Sequence, residues 1–350
     1  MSINKFLLTG LTALGLATAA FADGRNPGSL LLYPEFDNRT MNVTLLTVTN
    51  TNSDFTPGQG GFGFAGTVLV EFVYIGKIGT GGVELSCLET NRTALLTPND
   101  TLTLLTYAHN PQHEQGFVYV FARNPNTGAA IVFNHLIGNL VTLNGLWQLD
   151  YSMNPVSFLG IGAGAGTATD LDGDEIRDLD GTEYENVTDE LYIPRFLGQG
   201  GAFDSELILV GLAGGRLFDT VVNFWIYNDN EEAFSAQYLF RCWQRVKLAS
   251  INGAFNQSFL VNTTQNPLEI LGAPSRESGW FKVYGNTAFS TAEQIQDPAI
   301  YAVLIEIIGS HGAADLPFES PSINEPRNGA LFPTGPFGDG DPIPVNNDNQ

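Results

Sequence analysis

Carboxylates crowd one segment of the chain, and their spacing could hold a metal ion. Ten of the 37 Asp and Glu residues lie within 170–190, where Arg177 is the single basic residue. Calcium takes six to eight oxygen ligands, and a loop with acids at alternating positions can wrap one ion. The acids at loop positions 1, 3, 5 and 9 are Asp170, Asp172, Asp174 and Asp178. With the Ile176 carbonyl oxygen at position 7, the sequence predicts a calcium site.

The segment DLDGDEIRDLDGTE, which begins at Asp170, resembles the Asp-rich calcium loops of thrombospondin type 3 repeats, dockerins and EF-hands. The resemblance covers about residues 170–185 and implies calcium binding only. Glu175 stands at position 6, where such loops usually have glycine, and Gly181 stands at position 12, where a bidentate acid is expected. Asp180 and Glu183 are the candidates for the missing carboxylate. The alternative is a solvated acidic linker that repels itself and stays extended.

Two cysteines, Cys87 and Cys242, are the whole sulfhydryl content of the chain. They lack the CxxC spacing of zinc or redox sites. A single disulfide between them is one interpretation in an oxidising compartment. Two separate, buried core thiols are the other, because each cysteine continues an alternating apolar pattern.

Catalytic motifs are not evident: the chain has no GxSxG, no HExxH and no P-loop pattern. His109, His113 and Glu114 share the segment HNPQHE, which we interpret as an ordinary polar loop. Trp225 and Trp280 could form a platform that stacks on sugar rings, although large aromatics on strands are more often core residues. The sequence therefore favours a protein that is not an enzyme.

The N-terminus predicts export. Lys5 precedes an apolar run from 6 to 20, and Ala20-Phe21-Ala22 fits a small-x-small cleavage site, so residues 1–22 are interpreted as a signal peptide. No later stretch is long and apolar enough to span a membrane. We expect a secreted, periplasmic or cell-surface protein without membrane insertion.

The elements that must position these residues are short strands. Segments such as 66–75, 116–122 and 221–228 are rich in β-branched and aromatic residues and are bounded by Gly, Pro, Asn or Asp. Sustained helical periodicity is missing outside the signal peptide. The pattern predicts an all-β fold of two tandem β-sandwich domains, Ig-like or jelly-roll-like, joined by an acidic linker.

A faint internal repeat supports two related halves. The paired segments are 47–54 with 225–232, 84–91 with 239–246, and 116–122 followed by 129–139 with 279–285 followed by 301–310. The predicted boundaries are a first domain at 23–159, a Gly-rich then acidic linker at 160–199, a second domain at 200–312, and a Pro-rich disordered tail at 313–350.

The charge balance narrows the partners. With 37 acidic and 15 basic residues, the formal net charge is −22. Nucleic acids are excluded as electrostatic partners, because such binding needs Lys and Arg to displace counterions. We therefore expect a structural or adhesive protein with a calcium-stiffened linker, whose partner would be an extracellular glycan or another surface protein. The alternatives are a carbohydrate-binding module and a secreted polysaccharide-active or ester hydrolase.

Overall fold

The protein is described here by a computed structural model, which covers residues 26–58, 63–80, 83–145, 149–188, 190–228, 231–260, 277–319 and 329–331. Strands make up 60% of it and helices 7%, which confirms the all-β prediction. The predicted signal peptide and residues 320–328 and 332–350 of the predicted tail lie outside the described residues. Among the described residues, no helix combines the length and apolarity needed to cross a bilayer.

Residues 30–158 are called the first repeat, and their described part holds nine strands and one short helix. They are β1 (Leu30–Asp37), β2 (Asn42–Asn50), β3 (Val68–Thr80), β4 (Val83–Leu96), β5 (Thr101–Leu105), α1 (Thr106–His109), β6 (Gln115–Arg123), β7 (Leu136–Asn144), β8 (Leu149–Met153) and β9 (Val156–Phe158). Sheet 1 has the order β4-β3-β6-β1-β9, and sheet 2 has the order β5-β2-β7-β8.

After β10 (Arg177–Leu179), residues 191–319 form the second repeat. Its elements are β11 (Leu191–Leu197), β12 (Phe203–Gly211), β13 (Asp219–Asn228), β14 (Ala233–Phe240), β15 (Trp243–Lys247), α2 (Leu248–Ile251), α3 (Gln257–Leu260), β16 (Ser278–Phe289), β17 (Gln294–Gln296), β18 (Ile300–Ile308), β19 (His311–Asp315) and β20 (Phe318–Glu319). Sheet 3 has the order β14-β13-β16-β11-β20, with β17 beside β16, and sheet 4 has the order β15-β12-β18-β19. A last strand, β21 (Gly329–Leu331), pairs with β10.

The two repeats have the same topology. In chain order, β1 to β6 correspond to β11 to β16, and β7 to β9 correspond to β18 to β20. With this correspondence, sheet 1 has the same strand order as sheet 3, and sheet 2 has the same strand order as sheet 4. The short helix after the fifth strand is also repeated. The predicted internal duplication is therefore visible in the strand order.

A shared irregularity shows how closely the copies correspond. The register of β1 against β6 shifts between Tyr33 and Phe36, and that of β11 against β16 shifts between Ile193 and Phe196. Just past the shift, Phe36 pairs with Gly116 and Phe196 pairs with Gly279. At either glycine a Cβ would collide with a backbone carbonyl oxygen of the neighbouring strand, so no larger residue fits there.

The predicted arrangement as two separate tandem sandwiches is wrong. The sheets form a propeller-like ring, and their buried residues make one continuous hydrophobic cluster in which Leu31, Tyr119, Leu209 and Val303 all take part. Strand-sized apolar segments predict sheets but not which sheets face each other. That choice depends on long-range packing between the repeats.

Two of the three predicted sequence matches are also wrong. Only 116–122 with 279–285 agrees with the topology, since β6 and β16 are equivalent strands and the two segments begin at the equivalent glycines Gly116 and Gly279. Cys242 corresponds to Asp100, because its carbonyl oxygen accepts the Gly211 amide just as the Asp100 carbonyl oxygen accepts the Asn50 amide. The cysteines therefore occupy different places in the repeat.

The predicted linker at 160–199 is mostly packed rather than extended. Ile176, Leu179 and Tyr184 are buried, β10 lies in this stretch, and β11 already belongs to sheet 3. The predicted boundary of the tail at 312 falls inside β19, and β19 and β20 are edge strands of sheets 4 and 3. The linker was predicted from its alternating acids and the tail from its Pro-rich composition. Neither pattern reflects the few apolar residues that anchor the two segments.

His113 is held neutral by burial, which makes stability depend on pH. It is 2% exposed, Asn110 Nδ2 donates to its Nδ1 at 2.9 Å, and desolvation lowers the pKa of His113 to about 4. An unfolded histidine has a pKa of about 6.5. The unfolded state therefore binds more protons between these values, and stability that is present above about pH 6.5 is lost as the pH falls towards 4.

We expect the free energy of unfolding, measured in urea, to depend less on pH in His113→Gln than in the unmodified protein. Between about pH 7 and pH 4.5, its fall should be roughly 2 kcal/mol smaller in the variant. The exposed His311 provides the matched control, and His311→Gln should keep the original pH slope. Equal slopes for all three proteins would show that His113 is not the group responsible.

Candidate metal centre

The acidic loop, residues 170–183, is organised by its own carboxylates. Asp170 Oδ1 accepts the Gly173 amide at 2.7 Å, and Asp174 Oδ1 accepts the Ile176 amide at 2.8 Å. Asp172 Oδ1 accepts the Asp174 amide at 3.2 Å. Short side chains that bond the backbone two or three residues on are what turn a chain tightly, so alternating aspartates curl this loop around a point.

Three aspartates converge inside that curl. Oxygen atoms of Asp170, Asp172 and Asp174 all lie within 4.8 Å of one another. Burial and then the neighbouring Asp172 and Asp170 carboxylates raise the pKa of Asp174. Three like charges at this separation repel each other, and a divalent cation between them would reverse the sign of that interaction.

Glu183 closes the loop from its far end. Its Oε1 accepts the Leu171 amide at 2.5 Å, and its Oε2 accepts the Asp178 amide at 3.3 Å. The residue is 3% exposed, and desolvation, with the Asp178 carboxylate adding to it, raises the pKa of Glu183 to about 7. Glu183 is outside the set of three converging aspartates, and its two oxygens hold the backbone of the loop at Leu171 and Asp178.

Asp180 was the other candidate for that role, and its oxygens point elsewhere. Asp180 Oδ2 accepts the Thr182 hydroxyl at 2.6 Å and Oδ1 accepts the Thr182 amide at 2.7 Å. Asp178 is buried within β10 and is outside the set of three converging aspartates. The structure therefore brings together part of the predicted ligand set and leaves Asp180 out of it.

The backbone at position 6 adopts the conformation that glycine usually supplies. Glu175 has a φ of 63°, which is the left-handed region that disfavours residues with a Cβ. Its amide donates to Asp170 Oδ2 at 3.2 Å. Glu175 therefore holds a positive φ, a conformation that favours glycine, at a cost of about 1 kcal/mol.

Arg177 fixes the acidic loop to the first repeat. Its side chain is 5% exposed and lies 3.5 Å from Asp170 Oδ2, while its guanidinium carbon sits 5.1 Å from the ring centroid of Phe121. Val118 of β6 is paired with Tyr33, whose hydroxyl donates to Thr47 O of sheet 2, so both side chains lie on the face of sheet 1 turned towards sheet 2. Phe121 is three residues further along β6 and therefore lies on the opposite face. In the sequence, Arg177 stands out only as the single basic residue among the acids of 170–190.

Trp225 and Trp280 lie on one face of sheet 3. Trp225 is opposite Lys282, and Tyr227 is opposite Trp280. Trp225 is 43% exposed and its Nε1 donates to the Tyr284 hydroxyl at 3.2 Å. The Trp280 ring stacks on Tyr227 with centroids 4.4 Å apart and planes 11° apart, and the two tryptophans share one face of sheet 3.

Cys87 and Cys242 form a disulfide across the two repeats, with a Cα–Cα distance of 5.8 Å. Both are nearly buried, at 4% and 8% exposed. The first of the two interpretations of these cysteines is the one that the structure contains.

Comparison with known proteins does not assign this chain to a family. No protein-family model matches this chain, and a search of curated proteins finds no similar sequence.

Proposed function

We propose that this protein is an exported structural or adhesive component whose acidic loop binds one calcium ion. The observation that carries the proposal is the convergence of Asp170, Asp172 and Asp174 within 4.8 Å, in a loop that Glu183 closes from the other end. Hard oxygen donors of this number and charge suit calcium better than softer metals. The Ile176 carbonyl oxygen is the expected neutral ligand.

The position of the loop gives the ion a structural task. The loop contains β10, which pairs with β21. Arg177 of β10 packs on Phe121 of the first repeat, whereas a Cβ at Gly329 of β21 would contact Leu212 O and Ala299 Cβ of the second repeat. An ion that stiffens the loop would therefore hold a contact between both repeats, instead of acting as a hinge in a free linker.

The disulfide supports export. Structural disulfides persist in oxidising compartments and are rare in reducing ones. A buried bridge between residues 155 positions apart in sequence is consistent with a secreted, periplasmic or surface location and with the N-terminal signal pattern.

Calcium should stabilise the folded chain. At a free concentration about 100-fold above the dissociation constant, one bound ion adds about 2.7 kcal/mol to the free energy of unfolding. For a chain of this size we expect the thermal midpoint to rise by about 5 °C over that in EDTA. Differential scanning calorimetry in about 1 mM calcium, magnesium or EDTA measures it, and magnesium should give a smaller shift because it sheds water reluctantly.

Two isosteric variants locate the ion. Asp172→Asn removes one charge from the cluster and should abolish the calcium shift, whereas Asp180→Asn, outside the cluster, should keep it. Identical midpoints in calcium and EDTA for the unmodified chain would rule the proposal out. Equal loss of the shift in both variants would place the ion elsewhere in the acidic loop.

Glu175→Gly should strengthen calcium binding. Glycine adopts a positive φ without steric cost, so organising the loop around the ion becomes easier by about 0.5–1 kcal/mol, or a two- to fivefold lower dissociation constant. Isothermal titration calorimetry measures the change. The matched control is Glu231→Gly, which also replaces a glutamate at φ 63° but lies beyond β13 and should leave calcium affinity unchanged.

A further inference from the structure

A cleft of about 850 Å³ opens between the two repeats and is lined by residues of both. Its volume falls in the range of small-molecule binding sites. The first repeat contributes, among others, Arg39, Asn42 and Lys77, and the second contributes Asp204 and Lys247. This position, at the junction of two repeats and away from the acidic loop, is a common one for ligand sites.

The charge balance of the cleft differs from that of the chain. Four basic residues line it against three acidic ones, although the chain as a whole has 15 basic and 37 acidic residues. The basic side chains are Arg39, Lys77, Arg245 and Lys247, and the acidic ones are Asp37, Asp204 and Glu206. A strongly acidic protein has therefore placed a nearly neutral, densely polar surface at this point.

Six of the seven charged residues on this surface form ion pairs with one another, and Lys77 donates to the neutral Gln244 side chain. Arg39 Nη2 lies 2.6 Å from Asp37 Oδ2, and Lys247 forms an ion pair with Asp204. An anionic ligand would have to displace the carboxylates, and a cationic ligand would have to displace the basic groups. A hydroxyl group both donates and accepts, so it can bridge such a pair without separating it.

The wall that bears these groups is held rigidly. Trp243 Nε1 donates to Pro34 O at 2.8 Å across the repeats, and Lys77 Nζ donates to Gln244 Oε1 at 3.1 Å. The disulfide at Cys242 comes directly before Trp243. Groups that are fixed before binding lose less entropy when a ligand arrives.

We propose that this cleft binds a neutral, polyhydroxylated ligand of the oligosaccharide class. Its paired acids and bases and the Asn42 amide offer alternating donors and acceptors to sugar hydroxyls, and Phe203 and Ile307 in its lining offer apolar contact to the C–H groups of a sugar ring. The proposal does not depend on calcium binding by the acidic loop.

Isothermal titration of the full chain with maltotriose, cellotriose and N-acetylated chitotriose, in calcium-containing buffer, tests the proposal. We expect at least one of these neutral trisaccharides to bind with a dissociation constant of about 1 mM or lower. Asn42→Ala and Lys247→Met, one from each repeat, should each weaken that binding about fivefold. Trp225→Ala, on the outer face of sheet 3, is the control and should bind as the unmodified protein does.

Three results would overturn the assignment. The first is no binding of any neutral trisaccharide by the unmodified chain. The second is tighter binding of trigalacturonate or of the fully deacetylated, cationic chitotriose than of every neutral probe. The third is binding that Trp225→Ala abolishes while both cleft variants, shown by calorimetry to be folded, retain it.

Discussion

Arg245→Ala is expected to lower the free energy of unfolding by about 3–5 kcal/mol, which is the largest effect that we predict for a single substitution. The Arg245 side chain is 15% exposed, and its Nη1 lies 2.7 Å from Glu35 Oε1, whose side chain is fully buried. Arg245 Nε also lies 2.5 Å from Glu206 Oε2. Removing the guanidinium leaves the Glu35 carboxylate buried without its charged partner, and that uncompensated charge sets the cost.

The chain offers a matched control in the same stretch. Arg241 Nε lies 2.7 Å from Asp219 Oδ1, with the two side chains 46% and 29% exposed. Because an exposed ion pair contributes only about 0–1 kcal/mol, Arg241→Ala should change stability little. Urea unfolding of both variants measures the difference.

The expectation for Arg245 would be contradicted if the two arginine variants lost similar amounts of stability. A third variant separates burial of charge from loss of packing. Arg245→Met combined with Glu35→Gln keeps comparable volume without a buried charge, so it should recover part of the loss.

Replacing both cysteines with serine is expected to cost about 2–5 kcal/mol of unfolding free energy. The bridge closes a span of 155 positions, and a crosslink across a long span removes much of the freedom of the unfolded chain. It also joins the two repeats next to the cleft. Cys87→Ser and Cys242→Ser alone should each cost about as much as the double variant, because either one removes the same crosslink.

Two measurements check this prediction. The unfolding free energies of the single and double variants test its magnitude. Thiol titration of the denatured, unreduced chain tests its premise and should find no free thiol. Two free thiols per chain would mean that the folded protein carries separate core cysteines, the other interpretation that the sequence allowed.

Local patterns were sufficient to predict the strands and the acidic loop. The segments 116–122 and 221–228, which are rich in β-branched and aromatic residues, lie in β6 and β13, since a strand shows its composition over a few residues. The loop is equally local, because Asp170, Asp172 and Asp174 reach one point through turns of their own backbone. Glu183 was among the predicted ligands for the same reason, being close in sequence.

Long-range features were beyond such patterns. The cleft joins Asp37 and Asn42 to Asp204 and Lys247, and nothing in the spacing of these residues links them. The arrangement of the four sheets was missed because each sheet has two faces, and only packing between repeats decides which neighbour each face meets. The repeat was predicted with the wrong alignment, because Cys87 was matched with Cys242. The backbone hydrogen bonds show that Cys242 corresponds to Asp100 instead.

The two copies of the repeated topology use equivalent faces differently. Phe121 and Tyr284 occupy equivalent places, as their pairings with Glu71 and Asn223 show. In the first copy this face is covered: Phe121 is 5% exposed and lies under Arg177. In the second copy the same face keeps Trp225 43% exposed. One copy thus uses this face to hold the strand that carries Arg177, whereas the other copy presents the equivalent face to the solvent.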